Sequence, residues 1–473
     1  MSDDPVFRIG CGAGFAGDRL DAAIPVVATL VASGGPACLI FEMLAERTLA
    51  LAQLDRDEGG LGFDRFLLAR LEPILADCLS HRIAIVGNFG AANPKGAAAA
   101  IMGLAARLGC RSPRVAIVWG DDLLAAGADG TRALLEDALP AGAEPVSANV
   151  YLGAAEIAAA LAERADIVVT GRVADPALVL GPLVAHYGWS FDDHDRLAAG
   201  TLAGHLLECG AQITGGYFAD PGFKDVPGLS EIGFPIAEIA PDGTLVMTKA
   251  DGTGGCVTER TVKEQILYEI HDPAAYLTPD VVLDIGGVEV EALGPDRVAV
   301  RGARGRPRPD TLKATICHAG GFLGEAEISY AGPNAVARAR AALGMVVPRL
   351  ASGLAWRGDL IGAASVFGND GNHHLDADLP EARDLRLRLA VAGDDRDTVE
   401  AALHEMGALY TCGPAGGAGV RSAIRKRFHT VSAYVPRNLV RPGWYWAEEA
   451  ACETSSFTAS PTAAPATRAT AST

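Results

Sequence analysis

Along the first half of the chain, short apolar and β-branched runs alternate with longer runs whose apolar residues recur every three or four positions. Val6–Gly10, Cys38–Phe41, Arg82–Gly87, Arg114–Trp119 and Ile167–Thr170 read as strands. Helices are expected from about Asp18, and from about Pro94 to Leu108. Phe66, Leu67, Leu71, Ile74 and Leu75 show the helical spacing. Strands that are apolar throughout, separated by amphipathic helices, imply a mostly parallel, Rossmann-like α/β sheet covered on both faces.

The pattern changes near residue 280. Val281–Ile285, Val298–Val300 and Thr311–Cys317 follow one another closely, with Gly and Pro turns between them. Two strand-then-helix units come next: Glu325–Tyr330 into Asn334–Leu350, and Leu385–Ala392 into Thr398–Leu409. This predicts a second, α+β domain over residues 281–450, of ferredoxin-like type, after an α/β domain over 1–280. From Ala451 to Thr473 the chain is Thr, Ser, Ala and Pro without period, which predicts a disordered tail.

Composition narrows the classes. With 473 residues, 49% hydrophobic and 21% charged, the chain can bury a sizeable core. A formal net charge of −18 argues against nucleic acid and against anionic membrane surfaces as partners. The apolar stretch Ala22–Phe41 is broken by Pro25 and by Ser33 to Pro36, so it does not read as a membrane span. Nine cysteines without a CxxC pair, behind an acidic start, lead to the expectation of reduced thiols in the cytoplasm. A homo-oligomer is the base-rate expectation for such a chain.

If the sheet is parallel, the loops after its strands share one rim, where ligands of such sheets bind. Gly12, Gly14 and Gly17 have GxGxxG spacing, with Asp18 and Arg19 next. Three readings stay open for that loop: a tight turn capped by Asp18, an anion-binding loop, or a dinucleotide site. Glu42 and Glu46 follow the second strand four residues apart, as an acid–base pair or divalent-metal ligands would, or as a cap and a salt-bridge partner. Asn88 and Asn93 follow the third strand. Arg172, directly after a buried strand, suits a carboxylate or phosphate, or else pairs with Asp175. Asp175 before Pro176 reads as a helix cap or a ligand contact. His205 and Cys209 share a helical face, as an activated thiol or as packing residues. Thr214, Gly215 and Gly216, and Lys249 with Gly254 and Gly255, make further loops able to hold an anion. No zinc-type spacing supports a metal centre, and Asn369 to His374 reads as a polar surface loop.

Taken together, Arg8 to Arg19, Phe41 to Thr48, Asn88 with Asn93-Pro94, Thr170 to Pro176, His205 to Gly216, Thr248 to Gly255 and the Gly413–Gly417 loop resemble the acyclic terpene utilisation (AtuA) family. The resemblance spans about residues 6 to 425. It implies breakdown of acyclic terpenoids through coenzyme A thioesters, with a lyase step on a branched 3-hydroxyglutaryl-type thioester among the suggested reactions. It carries over no catalytic residues. Some relatives bear a small extra C-terminal domain, and whether a separate partner supplies it here is left open by the resemblance.

These readings converge on an enzyme for acyl-CoA or small carboxylate substrates. Arg172 and Lys249 would bind anionic groups, Glu42 or Glu46 would be the base, and His205 a proton carrier. Coenzyme A enters as part of the substrate, and a divalent cation is one way to hold an enolate. The alternatives are an NAD(P)-dependent oxidoreductase using the Gly12–Gly17 loop, and a non-catalytic subunit that needs a partner domain.

Overall fold

The computed structural model describes residues 6–124, 129–365, 371–375, 378–379 and 381–448, with the side chains of 129–133 excepted. The expected tail, 451–473, lies outside the described residues, as do Asn369 and Asp370. Eighteen strands are present among them: β1 Phe7–Ala13, β2 Ala37–Phe41, β3 Ala84–Gly87, β4 Val115–Trp119, β5 Pro145–Val150, β6 Ile167–Val169, β7 Pro235–Ile239, β8 Leu245–Lys249 and β9 Tyr276–Leu277. The rest are β10 Val282–Asp284, β11 Glu289–Gly294, β12 Arg297–Arg301, β13 Arg304–Arg306, β14 Thr311–Ala331, β15 Ala355–Ile361, β16 Asp384–Gly393, β17 Ala418–Pro436 and β18 Gly443–Trp446.

The chain builds a ten-stranded sheet in the order β11-β12-β8-β7-β1-β2-β3-β6-β4-β18. Only its centre, β1-β2-β3-β6-β4, is parallel. The other five ladders are antiparallel, so the expected mostly parallel, Rossmann-like sheet is corrected to a mixed one. The reason lies in the connections. Parallel neighbours need a crossover, and the helices Ala23–Ser33 and Pro94–Arg107 supply crossovers in the first half. Only a short turn links β7 to β8, and another links β11 to β12, so these must run antiparallel. The continuous apolar signal was a true guide for the centre: every residue of β2 is buried.

Local starts differ from expectation in two places. The first helix begins at Ala23, not near Asp18, because Asp18 turns back to accept N–H bonds from Gly14 and Phe15 at 2.6 and 3.2 Å. The helix Ala177–Tyr187 carries no side-chain cap, so Asp175 does not cap it. Asn93 does cap Pro94–Arg107, accepting from the Gly96 N–H at 3.0 Å with Pro94 in the first turn.

The second region is a β-α-β-β-α-β run in which β14, β15, β16 and β17 are joined through helices Ala335–Val346 and Arg396–Cys412. Its strands lie antiparallel in the order β15-β16-β14-β17, the ferredoxin-like arrangement. In β16 buried residues alternate with partly exposed ones, as expected of a sheet with one covered face. Sheet membership does not change at residue 280. β11 and β12 still join the large sheet, β18 returns to it, and β5 from the first half pairs with β14. The long strand β14 therefore serves two cores: Leu312, Ala314 and Ile316 pack in the main one, and Ala326, Ile328 and Tyr330 in that of the ferredoxin-like region.

Candidate functional site

The carboxyl ends of β2 and β6 bring the strongest group of charges together. Glu42, just past β2, is buried and accepts hydrogen bonds at 2.9 Å from both the Leu44 N–H and the Asn88 amide. Asn88, just past β3, in turn accepts from the Met43 N–H at 2.6 Å, so it locks the Glu42 turn. Burial, reinforced by Asp175 and opposed by Arg172, pushes the Glu42 carboxyl well above its ordinary range.

Arg172 lies just past β6 and is 4% exposed. Its guanidinium donates to the Leu44 carbonyl, lies 3.2 Å from Asp175, and sits over the Tyr151 ring at 4.1 Å. Its Nε is buried without a hydrogen-bond partner among the described residues. Its backbone N–H is fixed by buried Asp121, at 2.8 Å, which also accepts from Asn149 at 3.0 Å. Burial pushes Asp121 up to about 6. Asp175 is partly exposed. Burial, countered by Arg172 and supported by the charges of Glu208, Glu46 and Glu269, moves it from 3.8 up to about 7. Three carboxyl groups, Asp175, Glu42 and Glu46, thus act on one guanidinium.

Beside them a narrow crevice of about 10 Å³, room for about one water molecule, opens between the large sheet and the ferredoxin-like region. It is lined by Glu46, Leu49, Ser147, Asn149, Tyr151, Arg172, Thr315 and Cys317, since the β5–β14 pairing lays that strand pair over the rim. Glu46 accepts from the Tyr151 hydroxyl at 2.5 Å and lies 3.6 Å from Lys313. Burial opposes it, yet the Tyr151 hydrogen bond keeps Glu46 below its ordinary value. Glu42 and Glu46 therefore differ in charge state: one favours the neutral acid, the other the carboxylate.

His205 and Cys209 sit at the end of helix His194–Glu208, against the same cluster. His205 is 1% exposed, with Nδ1 3.0 Å from Glu208. Burial disfavours its charge, but Glu208 and the carbonyls of Gln265 and Ile266 hold its pKa above the usual value. With Nδ1 held by Glu208 and Nε2 without a hydrogen-bond partner among the described residues, the ring favours the cation over a mobile proton carrier. Burial, with Glu208 adjacent, pushes the Cys209 thiol up, away from a nucleophilic thiolate. Glu208, absent from the expected site residues, is the group that the fold adds. The only signal for it was its position three residues after His205, which puts the two side chains on one face.

The glycine loops share the rim but keep their donors occupied. The N–H of Gly14 goes to Asp18, that of Gly215 to Gln212, that of Gly216 to Ala211, that of Gly254 to Glu231 and that of Gly255 to Pro227. A Cβ on Gly14 would come within 2.4 Å of the backbone at Cys209 and Gly210, and one on Gly12 within 2.6 Å of the Phe41 ring. Gly17 abuts the Phe15 ring in the same way. These glycines permit close approach of protein to protein, and the expected anion loop at Gly12–Gly17 is filled by Asp18. Arg19 pairs with Asp21 at 2.9 Å. Thr214 donates to the Gly233 carbonyl at 2.6 Å. Asn93 is a helix cap that also donates to the Leu61 carbonyl. Lys249 donates to the Thr253 carbonyl at 2.8 Å and pairs with Asp296 at 3.6 Å. Five strand spacings separate β8 from β6, roughly 24 Å at about 4.8 Å each, so Lys249 and Arg172 do not meet.

Among curated proteins, none matches this chain. Among solved structures, the de novo designed protein Foldit4 matches at 10% identity and a TM-score of 0.17, covering 22% of this chain and 97% of that one. That overlap is too slight to bear on function. The sequence does match the family described as "Acyclic terpene utilisation family protein AtuA" over residues 7–445, an extent that takes in Glu42, Glu46, Arg172, Asp175, His205 and Glu208. The chain belongs to the acyclic terpene utilisation family AtuA.

Proposed function

We propose that the protein is an enzyme of acyclic terpenoid or branched acyl-CoA catabolism, a lyase acting on a 3-hydroxyacyl-CoA type substrate. The observation that carries this reading is the pair Glu42 and Asp175, two carboxyls that both act on Arg172 and are both raised by burial. Titratable partners whose environments set them apart are the usual means of dividing acid and base work near neutral pH. Asp175, at about 7, can take the proton of the substrate hydroxyl. As that proton leaves, its electron pair forms the new carbonyl and the adjacent carbon–carbon bond breaks. The pair left on the thioester fragment becomes an enolate. Arg172 stabilises that negative charge, and Glu42, held neutral, returns a proton to the carbon.

Membership of the AtuA family supports the metabolic setting. The described residues gather no group of three or more His, Cys, Asp and Glu able to hold a metal ion, and a guanidinium in their midst would repel one, so no step is routed through a cation. The NAD(P)-dependent alternative loses its main support, because Asp18 occupies the amides that would receive a diphosphate.

The test is turnover across a panel of coenzyme A thioesters of branched 3-hydroxy acids. Cleavage should occur with the wild type and fall by about a hundredfold to ten-thousandfold in Glu42→Gln and in Asp175→Asn. No cleavage of any thioester, or cleavage indifferent to both substitutions, overturns the reading. Tight binding of a nicotinamide cofactor would restore the oxidoreductase reading. Activity that appears only with an added small protein would favour the non-catalytic subunit.

A further inference from the structure

Beneath Asp175 lies a buried polar group that the proposed reaction has not used. Glu208 is 7% exposed, and its Oε2 has no hydrogen-bond partner among the described residues. Its other oxygen is held by His205 at 3.0 Å. Asp175 Oδ1 is buried too, 3.2 Å from Arg172 but without an aligned hydrogen bond. The chain has gone to some length to bring these two carboxyls together. Gly204 allows the helix to touch Pro176, where a Cβ would come within 2.6 Å of the Pro176 Cα. Gly14 lets the loop after β1 press on the backbone at Glu208, Cys209 and Gly210. An acceptor buried with nothing to accept is costly to a fold, and two such acceptors on segments that touch at Gly204 and Pro176 call for a ligand that carries a donor.

We propose that Glu208, clamped by His205, is a further residue of the site, where it faces Asp175 and accepts the hydroxyl of a 3-hydroxyacyl ligand. This rests on the lyase reading above. A hydroxyl is the chemistry that fits, because it offers one donor to the carboxylates and then yields that proton to Asp175. A coenzyme A thioester that lacks the hydroxyl leaves both acceptors as they are. His205 acts here as a positioning residue: its hydrogen bond at 3.0 Å orients Glu208. The other titratable groups facing the pair are Arg172 and Glu42 from the strand ends, Cys209 from the same helix, and Tyr276 and Glu269 from the segment packed over it. The Glu208 charge also opposes the pull of Arg172 on Asp175 and so keeps that group basic.

The experiment compares calorimetric affinities for a branched 3-hydroxyacyl-CoA and for the same thioester without the hydroxyl. The wild type should prefer the hydroxylated ligand by about tenfold or more, the usual worth of a hydrogen bond to a charged group. Glu208→Gln should cut that preference to under about threefold and leave the affinity for the plain thioester within about twofold, because a neutral amide accepts more weakly. In the same variant the acid limb of kcat/KM should move to lower pH, as Asp175 answers to Arg172 alone. A purely structural Glu208 would weaken both ligands equally and leave the limb in place. Equal wild-type affinity for the two thioesters overturns the inference without need of a variant, and so does a preference that survives Glu208→Gln. Failure of the wild type to bind either thioester removes the lyase reading itself, and this inference with it.

Discussion

Two stretches of the same sheet edge behave differently. On the side of β1, β7 and β8, Gly12, Gly14, Gly17, Lys249, Gly254 and Gly255 stand close-packed, with their observed polar groups matched by protein partners. On the side of β2, β3 and β6, Glu42, Arg172 and Glu208 are also buried and Asp175 partly so, but several of their polar atoms are unmatched and two carboxyls sit well above their ordinary range. By sequence both stretches were candidate ligand loops: the first by its glycine spacing, the second by the charges placed after its strands. The difference teaches that glycine density reports close backbone approach of any kind, to protein as readily as to phosphate. Unsettled buried charge is the more discriminating mark of a site, because it destabilises the fold unless something else requires it.

Four changes can break or sharpen that contrast. The largest effect is expected for Arg172→Met. Removing the cation leaves Glu42 and Asp175 buried together, with a stability loss of about 3–5 kcal/mol in urea unfolding and complete loss of turnover. A variant of near wild-type stability would show that Arg172 does not hold these carboxyls together. Next comes Gly14→Ala, whose Cβ would meet backbone rather than a flexible side chain. It should cost about 1–3 kcal/mol, while thioester affinity in the folded protein stays unchanged. A selective loss of affinity instead would return the loop to the ligand.

A smaller effect tests the sign of the Asp175 shift. Its folded value, about 7, lies above the ordinary 3.8, so the folded state holds the proton more tightly than the unfolded chain. The stabilising contribution is full below about 4 and is lost as pH rises towards 7. Asp175→Asn should therefore flatten the fall in melting temperature across that window; an unaltered pH profile would mean that Asp175 is not raised. The smallest change belongs to Lys249→Gln, which should lose about 1 kcal/mol through its contacts with Thr253 and Asp296 and leave ligand affinity alone. A tenfold loss of affinity there would extend the site along the whole edge.

Much of this was legible in the residues themselves. Cys38–Phe41 and Ile167–Thr170 could hardly be anything but central strands, since each is apolar throughout and ends at a polar turn. The ferredoxin-like region was signalled by two strand–helix units, while its strands β15 and β17 were not anticipated. Arg172 was singled out by its place after a buried strand, and its alternative partner, Asp175, is indeed 3.2 Å away. Other features were not legible. The antiparallel flanks depend on connection lengths at strands whose pairing partners are distant in sequence. The division at 280 failed to anticipate that β11, β12 and β18 would rejoin the first sheet. Glu208 carried no motif, and its role depends on Gly204 and Pro176 meeting.

By itself, then, the amino-acid order determined which segments are strands or helices and which family the chain resembles, because periodicity, turn residues and motifs act over a few neighbouring positions. Only the tertiary structure decided which glycine amides were already occupied, which carboxyls share one guanidinium, and that β14 closes the crevice over Tyr151 and Arg172. Those outcomes depend on burial and on distances between residues far apart in the chain. Desolvation and Coulomb energies respond to such distances, and local sequence does not record them.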